Sequence, residues 1–203
     1  MVRRMADLLV LVRHGESTWN AEHRLQGQLD PPLSERGRAQ ARAAAAVVAG
    51  FGLPSERTLS SDLARARETA RLLGLDPARL DPAWREIDVG CWAGRVAAEV
   101  DAEAGGLTNW RGGPRTAPDG EPWPDFAGRV AGAIGALAAA GGSWLVVSHG
   151  GCVRAAAAHL TGADARTLGA PGNGSVTVFE LGARPRLLAY GIVPDGELRT
   201  GLY

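Results

Sequence analysis

"LVRHGESTWN", from Leu11 to Asn20, breaks an apolar run with an arginine, a histidine and a glycine in succession. The preceding residues, Leu8 to Val12 (LLVLV), form the short continuous apolar run of a strand buried on both faces of a parallel sheet. The chain therefore either passes into a charged loop that contains a histidine, or ends a strand by aiming an imidazole at something that reacts with it. A second stretch, "SWLVVSHGG" from Ser143 to Gly151, repeats the pattern of apolar strand, histidine and glycines. In open α/β sheets ligands bind beyond the carboxyl ends of the strands. Arg13-His14-Gly15 and His149-Gly150-Gly151 both occupy such ends.

Outward from these two stretches, strands alternate with helices. Ser34 is placed to cap a helix through "ERGRAQARAAAAVVAG", which stops at Gly50 and Gly52. "RTLSSDL" reads as a short strand ending at Ser60, Ser61 and Asp62, and "SDLARARETARLLG" as a helix with Leu63, Ala66, Ala70 and Leu73 on one stripe. Leu80 to Gly94 has strand and loop character, and the Gly-, Pro- and Trp-rich stretch after it has no clear period. Helices are expected in "FAGRVAGAIGALAAAG" and "CVRAAAAHL", and late strands in "SVTVFEL" and "RLLAYGIV", which suit a hairpin. The alternation predicts a three-layer α/β/α sandwich around a mostly parallel sheet. It forms a single domain over residues 1–203, with a lid-like insertion around residues 94–125.

Composition removes several function classes. Acids and bases balance at 22 each, so no global field favours nucleic acid or an anionic membrane. Every one of the 22 basic residues is arginine, which excludes Schiff-base and P-loop lysine chemistry. Cys91 and Cys152 make neither a disulfide framework nor a CxxC pair, and no run approaches a membrane span. With no secretory signal pattern at the N-terminus, the expected compartment is the cytoplasm. There the glycosylation sequon at Asn173 carries no meaning.

The residues at the strand ends suit an anionic substrate. Arg13 offers a planar donor fork, and Gly15 permits close backbone approach. His14, if neutral, is a nitrogen nucleophile whose second ring nitrogen must be tied down. His149 brings a second imidazole, and Arg65 opens a helix just after a third strand end. His14, His23, His149 and His159 include no HxH or HExxH spacing, so neither a metal nor another cofactor is expected. Taken singly, each fragment also fits a capped turn or a solvated helix face, and Glu86 a surface acid beside Arg85.

Taken in order, "LVRHGESTWN", "LQGQLDPPLSERGRAQA", "SSDLARARETA", "REIDVGCWAG" and "VVSHGGCVR" resemble the successive signatures of the histidine phosphatase superfamily, in its phosphoglycerate mutase-like branch. The resemblance runs from about residue 8 to 155, and "GNGSVTVFEL" extends it. It implies that His14 takes the phosphoryl group while Arg13, Arg65 and His149 clamp its oxygens. Glu86 is implied as proton donor and Asn20 as a further phosphate ligand. Gly15, Ser17, Gln26 and Gly27 would border substrate, with Gly150 and Gly151 offering main-chain N–H groups. The chemistry is coherent, since phosphoryl transfer asks mainly for positioning and positive charge. Two guanidiniums beside His14 would also hold it neutral.

Among such proteins, a phosphatase is expected over a mutase. The mutases resembling this branch carry a tyrosine where "EIDVG" has Val89, and no lysine is present to hold a carboxylate. The stretch "LQGQLDPPLSERGRAQA" resembles that of glucosyl-3-phosphoglycerate phosphatases, which makes glucosyl-3-phosphoglycerate or a related sugar-acid phosphate the expected small-molecule partner. Departures at Ala93, Asp119 and Pro122 bear on substrate choice. Mutase-type transfer, α-ribazole phosphatase activity and a non-catalytic phosphate-binding module are the alternatives, and a homodimer is left open. Trp110, Trp123 and Phe126 fit either a sugar-stacking wall or cap core. Arg154 either reaches substrate or is solvated.

Overall fold

The computed structural model describes residues 7–75, 79–106, 112–113 and 115–194. Its strands are β1 (Leu8–Arg13), β2 (Thr58–Ser60), β3 (Arg79–Leu80), β4 (Trp144–Ser148), β5 (Val176–Glu180) and β6 (Arg186–Ile192). They form one sheet in the order β3-β2-β4-β1-β5-β6. Pairing is parallel from β3 through β2 and β4 to β1, and antiparallel from β1 to β5 and from β5 to β6. The late strands do lie side by side, and the mostly parallel sheet inferred from the alternation is present.

Side-chain alternation along the central strands divides the core into two layers. Leu9 and Leu11 of β1, with Trp144 and Val146 of β4, pack against Phe126, Val130, Ile134 and Leu137 of α5 (Trp123–Ala140) and against Cys152, Val153 and Ala156 of α6 (Gly150–Thr161). Val10 and Val12, with Leu145 and Val147, pack on the other face against Ala44 and Val48 of α2 (Glu35–Ala49) and Ala66, Ala70 and Leu73, in and just after α3 (Ala64–Leu72). A strand with both faces covered has no polar position to spare, which explains the unbroken apolar run at residues 8–12.

Local signals set most boundaries. Ser34 Oγ accepts from the Gly37 N–H at 3.0 Å and starts α2. α5 begins at Trp123 rather than Phe126, because Pro124 in the first turn forfeits only an N–H that has no helical partner there. α6 ends at Gly162 in the left-handed conformation. Its start at Gly150, directly after His149, leaves no loop between strand and helix.

Residues 94–106 are more regular than their composition indicates. They contain a short helix, α4 (Ala97–Glu103), and another short helix, α1 (Thr18–Ala21), comes much earlier in the chain. α4 has no side-chain cap and buries only Ala97 and Val100, so its sequence carries little helical signature. With Leu25, Val89, Trp92, Ala104 and Ala117 it builds a small separate core. Backbone bonds from Leu25 N to Arg95 O and from Gly94 N to Leu25 O stitch this segment to the chain after α1. Trp110 lies outside the described residues. Among the described residues, no helix is long and apolar enough to cross a membrane.

Gly15 and Gly37 are required by packing. A Cβ on either would overlap the backbone of the segment opposite, at Gly37 O or Glu16 O. Gly37→Ala is expected to destabilise the fold by about 1–3 kcal/mol through overpacking. Gly132→Ala, within α5 where a Cβ meets nothing within 4 Å, is expected to stabilise it by about 0.5–1 kcal/mol. Urea unfolding of both variants checks the pair. Equal effects would refute the close approach of the two segments.

Candidate active site

The end of β1 sends neighbouring side chains to opposite faces, and the site grows from that division. Arg13, in phase with Leu9 and Leu11, turns toward α6, where a Cβ on Gly150 would stand 3.3 Å from its Nε. Its NH1 donates to Pro171 O. His14, in phase with Val10 and Val12, turns toward α3 and Arg65. Its backbone is fixed from both sides. His14 N donates to Ser148 O of β4 at 2.9 Å, and its carbonyl accepts from Gly174 N at 3.1 Å.

The His14 ring is 3% exposed, and its Nδ1 lies 2.6 Å from Gly15 O. A carbonyl only accepts, so Nδ1 carries the proton and Nε2 carries the lone pair. Arg65 Nε–H points to that Nε2 at 3.3 Å. Burial first, and then the charges of Arg65 and Arg13, hold the His14 pKa well below 6.5. The imidazole is therefore neutral at pH 7. Arg65 is 1% exposed and donates to Leu29 O at 2.7 Å and Gly27 O at 2.8 Å. Burial lowers its pKa to about 10, which leaves the guanidinium charged at neutral pH.

His149 is fully buried, with its ring centroid 5.1 Å from that of His14. Its Nε2 lies 2.8 Å from Ser61 Oγ, which also accepts from Leu63 N at 3.4 Å. Its Nδ1 is buried with no hydrogen-bond partner, close beside the His14 ring. Burial, followed by the nearby Arg65, holds His149 neutral as well. Glu86 stands across the cleft, where Oε1 accepts from Ile87 N at 2.9 Å and Oε2 from Gly151 N at 3.0 Å. A Cβ on Gly151 would overlap Glu86 Oε1 and push the carboxylate out of this position. Arg129 of α5 steadies the loop under Glu86 by donating to Ala83 O and Arg85 O at 3.1 and 3.0 Å.

Two amides complete the arrangement. Ser17 Oγ donates to Gln26 Oε1 at 2.9 Å, and Asn20 Oδ1 accepts from Ser17 N at 3.1 Å and from Asn173 Nδ2 at 3.2 Å. With both carbonyl oxygens engaged, the amide nitrogens are left to donate into the cleft. Arg13, His14, Asn20, Gln26, Gly27, Arg65, Glu86, Gly150 and Gly151 all line this cleft of about 730 Å³, which is open to solvent.

Three residues expected at the site stand behind its surface. Gly15 packs on α2 and gives its N–H to Thr69 Oγ1 at 3.1 Å; Ser17 orients the two amides; His149 backs His14. The sequence reading passed over Asn173, which it took only as an idle sequon. It also passed over Ser61, Thr69 and Arg129, whose roles arise from long-range contacts with no local pattern. Arg154 and Trp123, left open above, both line the cleft. Among the described residues, no group of three His, Cys, Asp or Glu side chains gathers as a metal site.

The depressed His14 pKa has a consequence for stability. Below about pH 6.5 the unfolded chain binds a proton that the folded chain refuses, so stability falls as pH drops. We expect His14→Asn to flatten the dependence of unfolding free energy on pH between 7 and 5.5, by up to about 1.4 kcal/mol per pH unit. Parallel curves for the two proteins would show that the imidazole protonates freely in the fold.

The family model described as histidine phosphatase superfamily (branch 1) matches residues 9–191. A glucosyl-3-phosphoglycerate phosphatase of Mycobacterium tuberculosis is 39% identical over 190 residues, covering 85% of this chain and 84% of its own. A probable phosphoglycerate mutase GpmB of Enterobacter sp. (strain 638) is 40% identical over 155 residues, covering 70% of this chain and 71% of its own. The structure of mycobacterial glucosyl-3-phosphoglycerate phosphatase complexed with VO3 matches with a TM-score of 0.81 at 38% identity, over 92% of this chain and 99% of that one. The chain belongs to the histidine phosphatase superfamily, branch 1, and is a phosphatase-type enzyme of that family.

Proposed function

We propose that this phosphatase hydrolyses a small phosphorylated metabolite without a metal, through a phosphohistidine formed at His14. The observation that carries the reading is the Nδ1–H bond to Gly15 O, which leaves the Nε2 lone pair uncharged beside Arg65. In the first step Nε2 attacks phosphorus in line with the ester oxygen. The P–O bond breaks, and the leaving alkoxide takes a proton from Glu86. Arg13, Arg65, Asn20 and the Gly150 N–H spread positive character around the equatorial oxygens, while the Gly151 N–H holds the Glu86 carboxylate and His149 backs the nucleophile. In the second step water gives its proton back to Glu86 and attacks phosphorus. The P–N bond breaks, and inorganic phosphate leaves with His14 neutral again.

The substrate we favour is glucosyl-3-phosphoglycerate or a related sugar-acid phosphate. Support comes from relatives bearing that name and from a cleft with an indole at its rim. Mutase-type transfer is the second reading, favoured by the relatives named as probable phosphoglycerate mutases. Against it stand the absence of lysine and Val89 in place of a tyrosine. Residues 94–125, with the small core around α4, would act as the lid of a single domain. The free Cys91 and Cys152 fit a reducing cytoplasm. We take small-molecule esters, not nucleic acid or membrane, as partners; light scattering would decide whether the chain is a homodimer.

The test is turnover of p-nitrophenyl phosphate with excess EDTA. Wild-type protein is expected to release inorganic phosphate at an undiminished rate, and His14→Ala to lose at least about 10³-fold, as expected when a nucleophile is removed. Loss of activity on chelation would reject the metal-free mechanism. Phosphate appearing mainly on an added acceptor alcohol, rather than in solution, would favour the mutase.

A further inference from the structure

Glu86 lies in residues 85–89, which belong to no helix or strand. A carboxyl that passes a proton has to be held to within about 0.5 Å, and this loop has no strand ladder to hold it. Side-chain donors take that place, meeting the carbonyls of four consecutive residues. Arg129 Nη1 donates to Ala83 O at 3.1 Å and to Arg85 O at 3.0 Å. Ser148 Oγ donates to Trp84 O at 2.8 Å, and Cys152 Sγ to Arg85 O at 3.1 Å. Glu86 O accepts from Gln28 Nε2 at 3.3 Å and from Arg129 Nη2 at 3.5 Å. Arg129 thus serves three of the four carbonyls.

Glu121 fixes Arg129 in turn. Its carboxylate accepts from Arg129 Nε at 2.9 Å and from Nη2 at 2.7 Å, so all five guanidinium N–H groups have acceptors. A guanidinium is planar and rigid, and a carboxylate paired with one edge dictates where the opposite edge points. The fully buried Phe126 ring, 5.0 Å from the guanidinium carbon, limits movement out of that plane. Glu121 also exchanges hydrogen bonds with Asp88: its N–H donates to Asp88 O at 2.9 Å, and its Oε2 accepts from Asp88 N at 3.3 Å. The loop is therefore held on both sides of Glu86, by Arg129 at residues 83–86 and by Glu121 at residue 88.

We propose that Arg129, aligned by Glu121, is a positioning residue for the proton donor, and that the end of the 94–125 segment thereby sets Glu86 against the leaving oxygen. The inference rests on the phosphatase reading with Glu86 as the acid, and adds two residues that act through it without touching substrate.

The experiment measures kcat/KM on p-nitrophenyl phosphate and on phenyl phosphate, which are close in shape but differ in the basicity of the leaving oxygen. Phenoxide gains far more from a proton, so the ratio of the two reads the donor. Because kcat/KM covers transfer to His14 and not the later hydrolysis, it isolates the donor's first step. Arg129→Gln is expected to widen the p-nitrophenyl-to-phenyl ratio by about 10- to 100-fold over wild type, while kcat/KM on p-nitrophenyl phosphate stays within about threefold. Glu121→Gln should widen it by about 3- to 10-fold, as for one hydrogen bond lost. In a Glu86→Gln background, Arg129→Gln should widen it no further. Equal losses on both esters, or an effect that persists without Glu86, would reduce Arg129 to a general support of the fold and overturn the inference. Glu121→Gln decides by the same ratio even if Arg129→Gln does not fold. An unwidened ratio in Glu86→Gln itself rejects Glu86 as the acid, and failure to hydrolyse either ester rejects the phosphatase reading. A ratio widened by Glu86→Gln but by neither Arg129→Gln nor Glu121→Gln rejects the positioning role alone.

Discussion

A single short hydrogen bond, from the Nδ1–H of His14 to the carbonyl of Gly15, governs what the rest of the site is able to do. It fixes the tautomer, so the lone pair falls on Nε2, and it fixes the ring plane, so that lone pair meets Arg65 in the cleft. Burial and two adjacent guanidiniums then keep the ring uncharged. An imidazolium has no lone pair to give, so the same cations that would steady a phosphate also keep the proposed nucleophile ready for one.

The sheet makes this possible. Parallel pairing of β1 with β4 sets Arg13 opposite Ser148, so the two strands end together and deliver His14 and His149 to one place. β2, on the far side of β4, is followed at once by Ser61, which meets His149, and leads into α3, which carries Arg65. α6 begins without a loop, so Gly150 lies against Arg13 and Gly151 against Glu86. The glycines serve here as space for the side chains of other segments, more than as places where backbone approaches a ligand.

The parts readable from sequence were those with local signals. Leu8–Val12 and Trp144–Ser148 announce buried strands, Ser34 announces a helix start, and two histidines at strand ends announce a shared edge. Helix α4 was not legible, since seven residues with neither a cap nor an apolar stripe give no period to detect. Asn173 was set aside as a sequon without meaning, because its contacts with His14 O and Asn20 Oδ1 span more than 150 residues of chain. Gly15 and Ser17 drew attention through their place in the motif, and the structure gives them supporting tasks: one packs on α2, the other aims two amides. Proximity in sequence marked the neighbourhood of the site without separating the residues that face the cleft from those that hold them.

The claim at the centre is a proton on Nδ1 of His14 and a reactive pair on Nε2. Rapid base-quench of the enzyme during turnover, followed by peptide mapping and ³¹P NMR at alkaline pH, reads which nitrogen carries phosphate. The account predicts a phosphoramidate on Nε2 of His14 that forms and decays at the rate of turnover. Phosphate on Nδ1, on His149, or on no histidine at all would contradict it.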